Sequence, residues 1–188
     1  MFREILPNLF FFDGQGAGSN VFLLAGKKTA LVDSSSESNS AQLISSLEKT
    51  GFSRNEIDFV FHTHGHADHF GCDFLFPNAR IRMHKFDANF VNSPNLKFTA
   101  ANLIPTSHFP RITSFFRQDE VIDLGCFKLQ VLFTPGHTKG SVCFFGKKQG
   151  LLFSGDTLFN GSFGRFDLQS GNPSNLCFSL KKILNLEF

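Results

Sequence analysis

Short apolar runs separated by turn residues open the chain: Leu9–Phe12, Val21–Leu24 and Ala30–Val32 alternate with Asp13–Ser19 and Gly26-Lys27-Lys28. This rhythm predicts a β-meander over residues 2–33. The glycine-rich piece between the first two runs lacks a following Lys-Ser/Thr and leads into a strand, so it predicts a mobile loop and not a phosphate cradle. From Ser38 to Lys49 the period changes. Ala41, Leu43, Ile44 and Leu47 fall on one side and Gly51 supplies a stop, which predicts a short amphipathic helix. The apolar run 57–61 follows as a strand, and strand, helix, strand is a crossover unit of the α/β class. Phe70–Phe76 then predicts a helical turn ended by Pro77, Arg80–Met83 a strand, and 85–92 a helix.

Between Ser93 and Asp119 the pattern lapses. Pro94, Pro105 and Pro110 interrupt a stretch without sustained period, which predicts a long irregular connection of the kind that covers a site. Strands return at Val121–Leu124, Phe127–Phe133, Val142–Phe145 and Leu151–Phe153, joined by hairpin-like turns at Gly125-Cys126 and Gly146–Gly150. Asn172-Pro173 starts a final helix whose buried face is expected to carry Leu176, Cys177, Leu180, Ile183 and Leu184. With 188 residues, 41% hydrophobic and 18% charged, the chain is expected to form one domain, 1–188.

The chemistry concentrates where the strand at 57–61 ends. His62, His64, His66 and His69 stand with Asp68 in Phe61-His62-Thr63-His64-Gly65-His66-Ala67-Asp68-His69. Imidazole and carboxylate are the donors that borderline divalent ions such as zinc prefer. Strand alternation is expected to point His64 and His66 to one face, where they can grip one ion. The turning chain beyond would carry Asp68 and His69 to a neighbouring position. Two later stretches repeat the context of a ligand type after a predicted strand: His137 in a Pro-Gly turn, and Asp156 in Ser154-Gly155-Asp156-Thr157. Asp33, ending the third predicted strand, is either a hydrogen-bonding partner of a metal-binding histidine or a turn aspartate. His62 reads as packing or as a hydrogen-bonding partner behind the site.

Charge and cysteines narrow the classes. A formal net charge of +2, with basic runs no longer than the pairs Lys27-Lys28, Lys147-Lys148 and Lys181-Lys182, leaves no footprint for nucleic acid or an anionic membrane. Cys72, Cys126, Cys143 and Cys177 form no CxxC pair and are expected to be buried free thiols in a reducing compartment. The N-terminus places Glu4, Pro7 and Asn8 where a signal peptide needs an apolar core, so a cytoplasmic protein acting on a small molecule is expected. The chain has 27 phenylalanines and neither tyrosine nor tryptophan, which keeps ring packing but removes every phenol as a catalytic donor.

Taken in order, Thr63–His69, then Pro135-Gly136-His137-Thr138-Lys139-Gly140-Ser141, then Ser154–Phe159, the sequence resembles the metallo-β-lactamase superfamily. With Gly164-Arg165-Phe166-Asp167-Leu168 following, it is similar to the glyoxalase II-like (hydroxyacylglutathione hydrolase-like) single-domain members. The resemblance implies an αβ/βα four-layer sandwich of two mixed sheets with external helices. It implies that His64, His66 and His137 hold one metal, that Asp68 and His69 hold a second, and that Asp156 bridges them. The ions would be zinc, one or two, with iron or manganese as alternatives, about 3.5–4 Å apart in a two-metal site. Asp68 and Asp156 would carry the catalysis, and a water activated at the metals would attack a thioester or related activated ester. Arg165 matches a position that contacts substrate, or forms a surface ion pair. The family pattern also implies a further strand with one more histidine, so the chain is expected to lack its last strand and part of the second metal's ligand set. A mononuclear iron persulfide dioxygenase and a truncated, non-catalytic metal binder are the alternative functions.

Overall fold

The architecture comes from a computed structural model in which residues 1–187 are described; Phe188, the end of the expected domain, lies outside them. The opening meander forms β1 (Arg3–Leu6), β2 (Leu9–Phe12), β3 (Val21–Ala25) and β4 (Thr29–Val32), each antiparallel to the last. A crossover through α1 (Ser40–Glu48) returns the chain to β5 (Phe59–Phe61), which pairs with β4 in parallel. After a short helix, α2 (Ala67–Phe70), β6 (Arg80–Met83) and β7 (Ser114–Phe115) extend the same sheet in parallel, with α3 (Lys85–Asn92) between them. A second, antiparallel sheet is ordered β11-β10-β9-β8, from β8 (Val121–Asp123), β9 (Lys128–Phe133), β10 (Val142–Gly146) and β11 (Leu151–Phe153). The hairpin β12 (Leu158–Phe159) and β13 (Ser162–Phe163) precedes the closing helix α4 (Pro173–Leu184).

Alternation along the strands sorts the apolar side chains into layers. Leu24 and Val32 face Leu129, Val131, Val142 and Phe144 between the two sheets, whereas their neighbours Leu23 and Leu31 face Leu43 and Leu47 of α1 on the outside. Leu132, Cys143 and Phe145 turn the other way, toward Ile183 of α4. Helix, sheet, sheet and helix therefore stack in four layers, with one core between the sheets and one under each outer helix. No helix among the described residues is long and apolar enough to cross a membrane.

Several expectations are corrected. The buried face of α4 carries Leu176, Ser179 and Ile183, while Cys177 and Leu184 are exposed, because the burial follows the 3.6-residue period and not the hydrophobicity of each residue. Ser179 turns its hydroxyl onto the Pro135 carbonyl at 2.7 Å. Cys126 is exposed too, so only Cys72 and Cys143 are buried thiols. The segment 93–119 does not line the main cleft. Ala101 and Ile112 pack with Ala67, Phe70, Met83 and Val91, and Glu37 ties the segment down by accepting from Ser107 N at 2.7 Å and from Thr106 Oγ1 at 2.9 Å. The expected mobile loop at 13–19 is anchored as well: Gln15 N donates to Asn39 Oδ1 at 3.2 Å, and Ser19 N to the Asp68 carbonyl at 3.1 Å.

Candidate metal centre

The strand that delivers the histidines stops at Phe61, so His64 and His66 sit in the loop leading to α2 and not on alternating strand positions as expected. A carboxylate on α3 sets this loop instead. Asp87, buried, accepts from Gly65 N at 2.9 Å, from Gly140 N at 2.8 Å and from Thr138 Oγ1 at 2.7 Å. One side chain thus ties the loop bearing His64 and His66 to the turn bearing His137. Both contacts need glycine: a Cβ on Gly65 would lie 2.8 Å from Asp87 Cβ, and one on Gly140 would collide with the carboxylate. Asp87→Ala strands three buried donors, each costing about 1–3 kcal/mol when unpaired. The variant is expected to lose metal affinity and thermal stability together, as read by chelator competition and thermal unfolding; wild-type affinity would sever Asp87 from the site.

The three imidazoles converge. His66 Nδ1 lies 3.1 Å from His64 Nε2 and 2.9 Å from His137 Nε2. Tetrahedral Zn–N bonds of about 2.0–2.1 Å would space such nitrogens about 3.3 Å apart, so the cluster is within a few tenths of an ångström of gripping one ion. Burial and the neighbouring His137 and His69 push His66 down to about 3, and burial with the surrounding imidazoles holds His64 well below its ordinary value. Both rings are therefore neutral at pH 7, with lone pairs available for a cation. His137 is oriented from behind, since its Nδ1 lies 2.6 Å from the Arg165 carbonyl oxygen and donates to it.

A second group adjoins the first. His69 Nε2 lies 3.5 Å from Asp68 Oδ2 and 3.3 Å from Asp156 Oδ1, while the other Asp156 oxygen, Oδ2, lies 3.5 Å from His137 Nε2. Asp156 thus presents one oxygen to each group. The donor sets His64, His66, His137 and His64, His69, Asp156 each gather within 4.8 Å. Burial raises the Asp68 carboxyl against the pull of His69; it opposes ionisation of Asp156 too, but His69 and His137 outweigh it and lower that carboxyl. Asp33 stands behind His69, with Oδ2 accepting from His69 Nδ1 at 2.9 Å and from Thr63 Oγ1 at 2.8 Å. Its left-handed backbone, φ 59°, turns the carboxylate back from the end of β4 toward the site.

Arg165 bonds to the site through its main-chain carbonyl, and its side chain turns away from it. Its guanidinium forks onto Asp167, Nε to Oδ1 at 2.7 Å and Nη2 to Oδ2 at 2.8 Å, in an exposed ion pair. His84 and His108 lie elsewhere: His84 caps α3 by accepting from Phe86 N, and His108 stacks on Phe74. Asp68, His69 and Asp156 open onto a cleft of about 670 Å³ walled by the anchored glycine loop, Phe22, Phe153 and the β12–β13 hairpin at Phe159. Sequence reasoning missed Asp87 and the glycine loop as parts of the site. An acid in the first turn of α3 and a loop without lysine carry no local signal of either role.

Comparison with known proteins agrees with this fold. The model of the metallo-beta-lactamase superfamily matches residues 14–186. A probable metallo-hydrolase of Methanocaldococcus jannaschii is 30% identical over 171 residues, 87% of this chain and 79% of that protein. A hydroxyacylglutathione hydrolase of Thermosynechococcus vestitus is 32% identical over 68% of this chain and 44% of its own length. An uncharacterised Aquifex aeolicus protein, 35% identical, is matched over 59% of its length, so the chain spans little more than half of some relatives. Among solved structures, a di-iron-bound protein is 29% identical with a TM-score of 0.73 over 89% of this chain and 82% of its own.

Proposed function

Because the chain belongs to the metallo-β-lactamase superfamily, we propose that it is a metal-dependent hydrolase acting on small thioesters or related activated esters. The observation that carries this is Asp156, whose two oxygens face His69 and His137 at 3.3 and 3.5 Å and so join two donor groups in one site. His64, His66 and His137 would hold one ion, and Asp68 and His69 a second beside it. Zinc suits these donors, and iron or manganese are the alternatives. A divalent ion there supplies Lewis acidity and lowers the pKa of a water toward neutrality.

The chain's own groups provide the rest. Asp68 opens onto the cleft, and burial raises its carboxyl against the pull of His69, which suits it to orient a water there. Thr63 and Asp33 fix the His69 ring, and the Arg165 carbonyl fixes His137. No lysine, arginine, cysteine or tyrosine lines the cleft among the described residues, so a leaving group that needs no proton suits it best. A thiolate, the conjugate base of a thiol with pKa about 8.5, leaves without one. The hydroxyacylglutathione hydrolase relative supports the same class. The Arg165 fork is occupied by Asp167, so an anionic thiol moiety such as glutathione should gain little over a neutral one.

A panel of acyl thioesters with glutathione and with neutral N-acetylcysteamine as the thiol, run beside oxygen esters, tests this on zinc-, iron- and manganese-loaded protein. Metal-dependent thioester hydrolysis that is similar for both thiols is expected. Oxygen uptake with a persulfide, without thioester turnover, would replace the hydrolase with a dioxygenase.

A further inference from the structure

Away from the metal donors, the lining of the cleft is of two kinds. Aromatic rings make one: Phe22 of β3 and Phe153 of β11 meet edge to face with centroids 5.0 Å apart, and Phe159 of the β12–β13 hairpin adds a ring that is 44% exposed. The smallest residues make the other, since Gly16-Ala17-Gly18 brings nothing larger than a methyl group to a space of about 670 Å³. Room is therefore left where the rings offer a surface.

Both parts are fixed relative to the donors. Ser154 Oγ donates to the Leu158 carbonyl at 2.7 Å across the turn that carries Asp156, and a Cβ on Gly164 would collide with the Asp156 carbonyl. The chain entering the hairpin and the chain leaving it thus close on the same turn, which sets the Phe159 ring from Asp156. The glycine loop is tied by Ser19 N to the Asp68 carbonyl at 3.1 Å, and a Cβ on Gly18 would collide with Asn39.

Charge is confined to the donor end. Asp33, Asp68, His69 and Asp156 are the titratable lining residues among those described; the others are apolar, glycine, or neutral serine, threonine and asparagine. An alkyl chain beside Phe22, Phe153 and Phe159 would leave water for an aromatic surface, the setting in which pockets of about 300–1,000 Å³ hold small apolar ligands. A charged tail there would lose water without gaining an ion pair. Of the two arms of a thioester, the thiol arm departs as a thiolate that must return to water, whereas an alkyl acyl arm is uncharged along its length and gains most from burial.

We infer that the cleft selects an apolar, unbranched acyl chain, seated along Phe22, Phe153 and Phe159 with its carbonyl at the metal donors, and that Phe159 is a specificity-determining residue. The assignment rests on the thioester hydrolase reading of the site.

The test keeps N-acetylcysteamine as the thiol and lengthens the acyl group from acetyl through butanoyl and hexanoyl to octanoyl, on metal-loaded wild type, F159S, A17F and F178S. Full burial of a methylene is worth about fourfold, so a cleft open to solvent is expected to raise kcat/KM about twofold per methylene, or about fifteenfold from acetyl to hexanoyl. Phe159→Ser should at least halve this slope, and Ala17→Phe, which puts a ring into the space, should cut the longest acyl groups most. Phe178 is 72% exposed on α4 and does not line the cleft, so Phe178→Ser should keep the wild-type slope. Calorimetry with uncleavable S-alkyl-N-acetylcysteamine thioethers should show affinity rising with chain length in wild type and less so in F159S. A rate that is flat or falls with acyl length, or a wild-type slope in F159S, overturns the assignment. So does a slope that follows an alkyl chain on the thiol of an acetyl thioester instead. Absence of hydrolysis at every length is a different outcome, which removes the thioester reading itself.

Discussion

Asp156→Ala is expected to lower thioester hydrolysis by at least about a thousandfold, beyond the 10–100-fold typical for loss of a group behind a ligand. The reason is position. The carboxylate lies 3.3 Å from His69 Nε2 and 3.5 Å from His137 Nε2, one oxygen to each. In a two-metal centre, removing it would take a ligand from both donor groups and leave two cations facing each other without an anion between them. Metal stoichiometry should fall with the rate, whereas folding should hold, because Asp156 is partly exposed at the cleft and belongs to none of the apolar clusters. Asp156→Asn, which keeps one oxygen donor, should retain more metal than the alanine variant. Elemental analysis beside steady-state kinetics decides the matter: wild-type turnover in Asp156→Ala would remove Asp156 from the centre.

The parts legible in the sequence are those with local causes. Apolar runs bounded by turn residues at Val21–Leu24 and Ala30–Val32 gave β3 and β4, and the change of period at Ser38 gave α1, because each pattern is written on neighbouring residues. β1 escaped notice because all four of its residues are exposed and it lies at a sheet edge, held by pairing to β2 and not by a buried face. β7, β12 and β13 are two residues long each, too short for any period. The histidine-rich stretch and the turns at His137 and Asp156 stood out by residue type. What places them together did not, because Asp87 clamps Gly65 and Gly140 from 22 and 53 positions away. Asp73 reaches His62 in the same way, 11 positions on. Long-range polar contacts have no period, so they are visible only once the chain is folded. The segment 93–119 followed the same rule: prolines announced the lack of regular structure before β7, but only the folded partners Glu37, Phe70 and Val91 decide where it lies.

Unequal affinity follows from the donor count on the two sides. His64, His66 and His137 offer three imidazole nitrogens about one ion-width apart, and His64 and His66 are kept neutral by burial and neighbouring imidazoles. On the other side His69 and Asp68 stand at 3.5 Å, with one oxygen of Asp156, and His69 is pulled well above its ordinary pKa, burial being outweighed by Asp33, Asp68 and Asp156. An ion must displace that proton before it binds, which costs affinity near neutral pH. Zinc titration of this chain is therefore expected to show a tight step and a weaker one, the weaker tightening as pH rises. His66→Ala should abolish the tight step and with it nearly all hydrolysis, since the ring that meets both His64 and His137 is gone. His69→Ala should spare the tight step and remove only the weaker one. Two equal steps in the wild type, or loss of the tight step in His69→Ala, would show that the donors are shared differently between the ions than these distances imply.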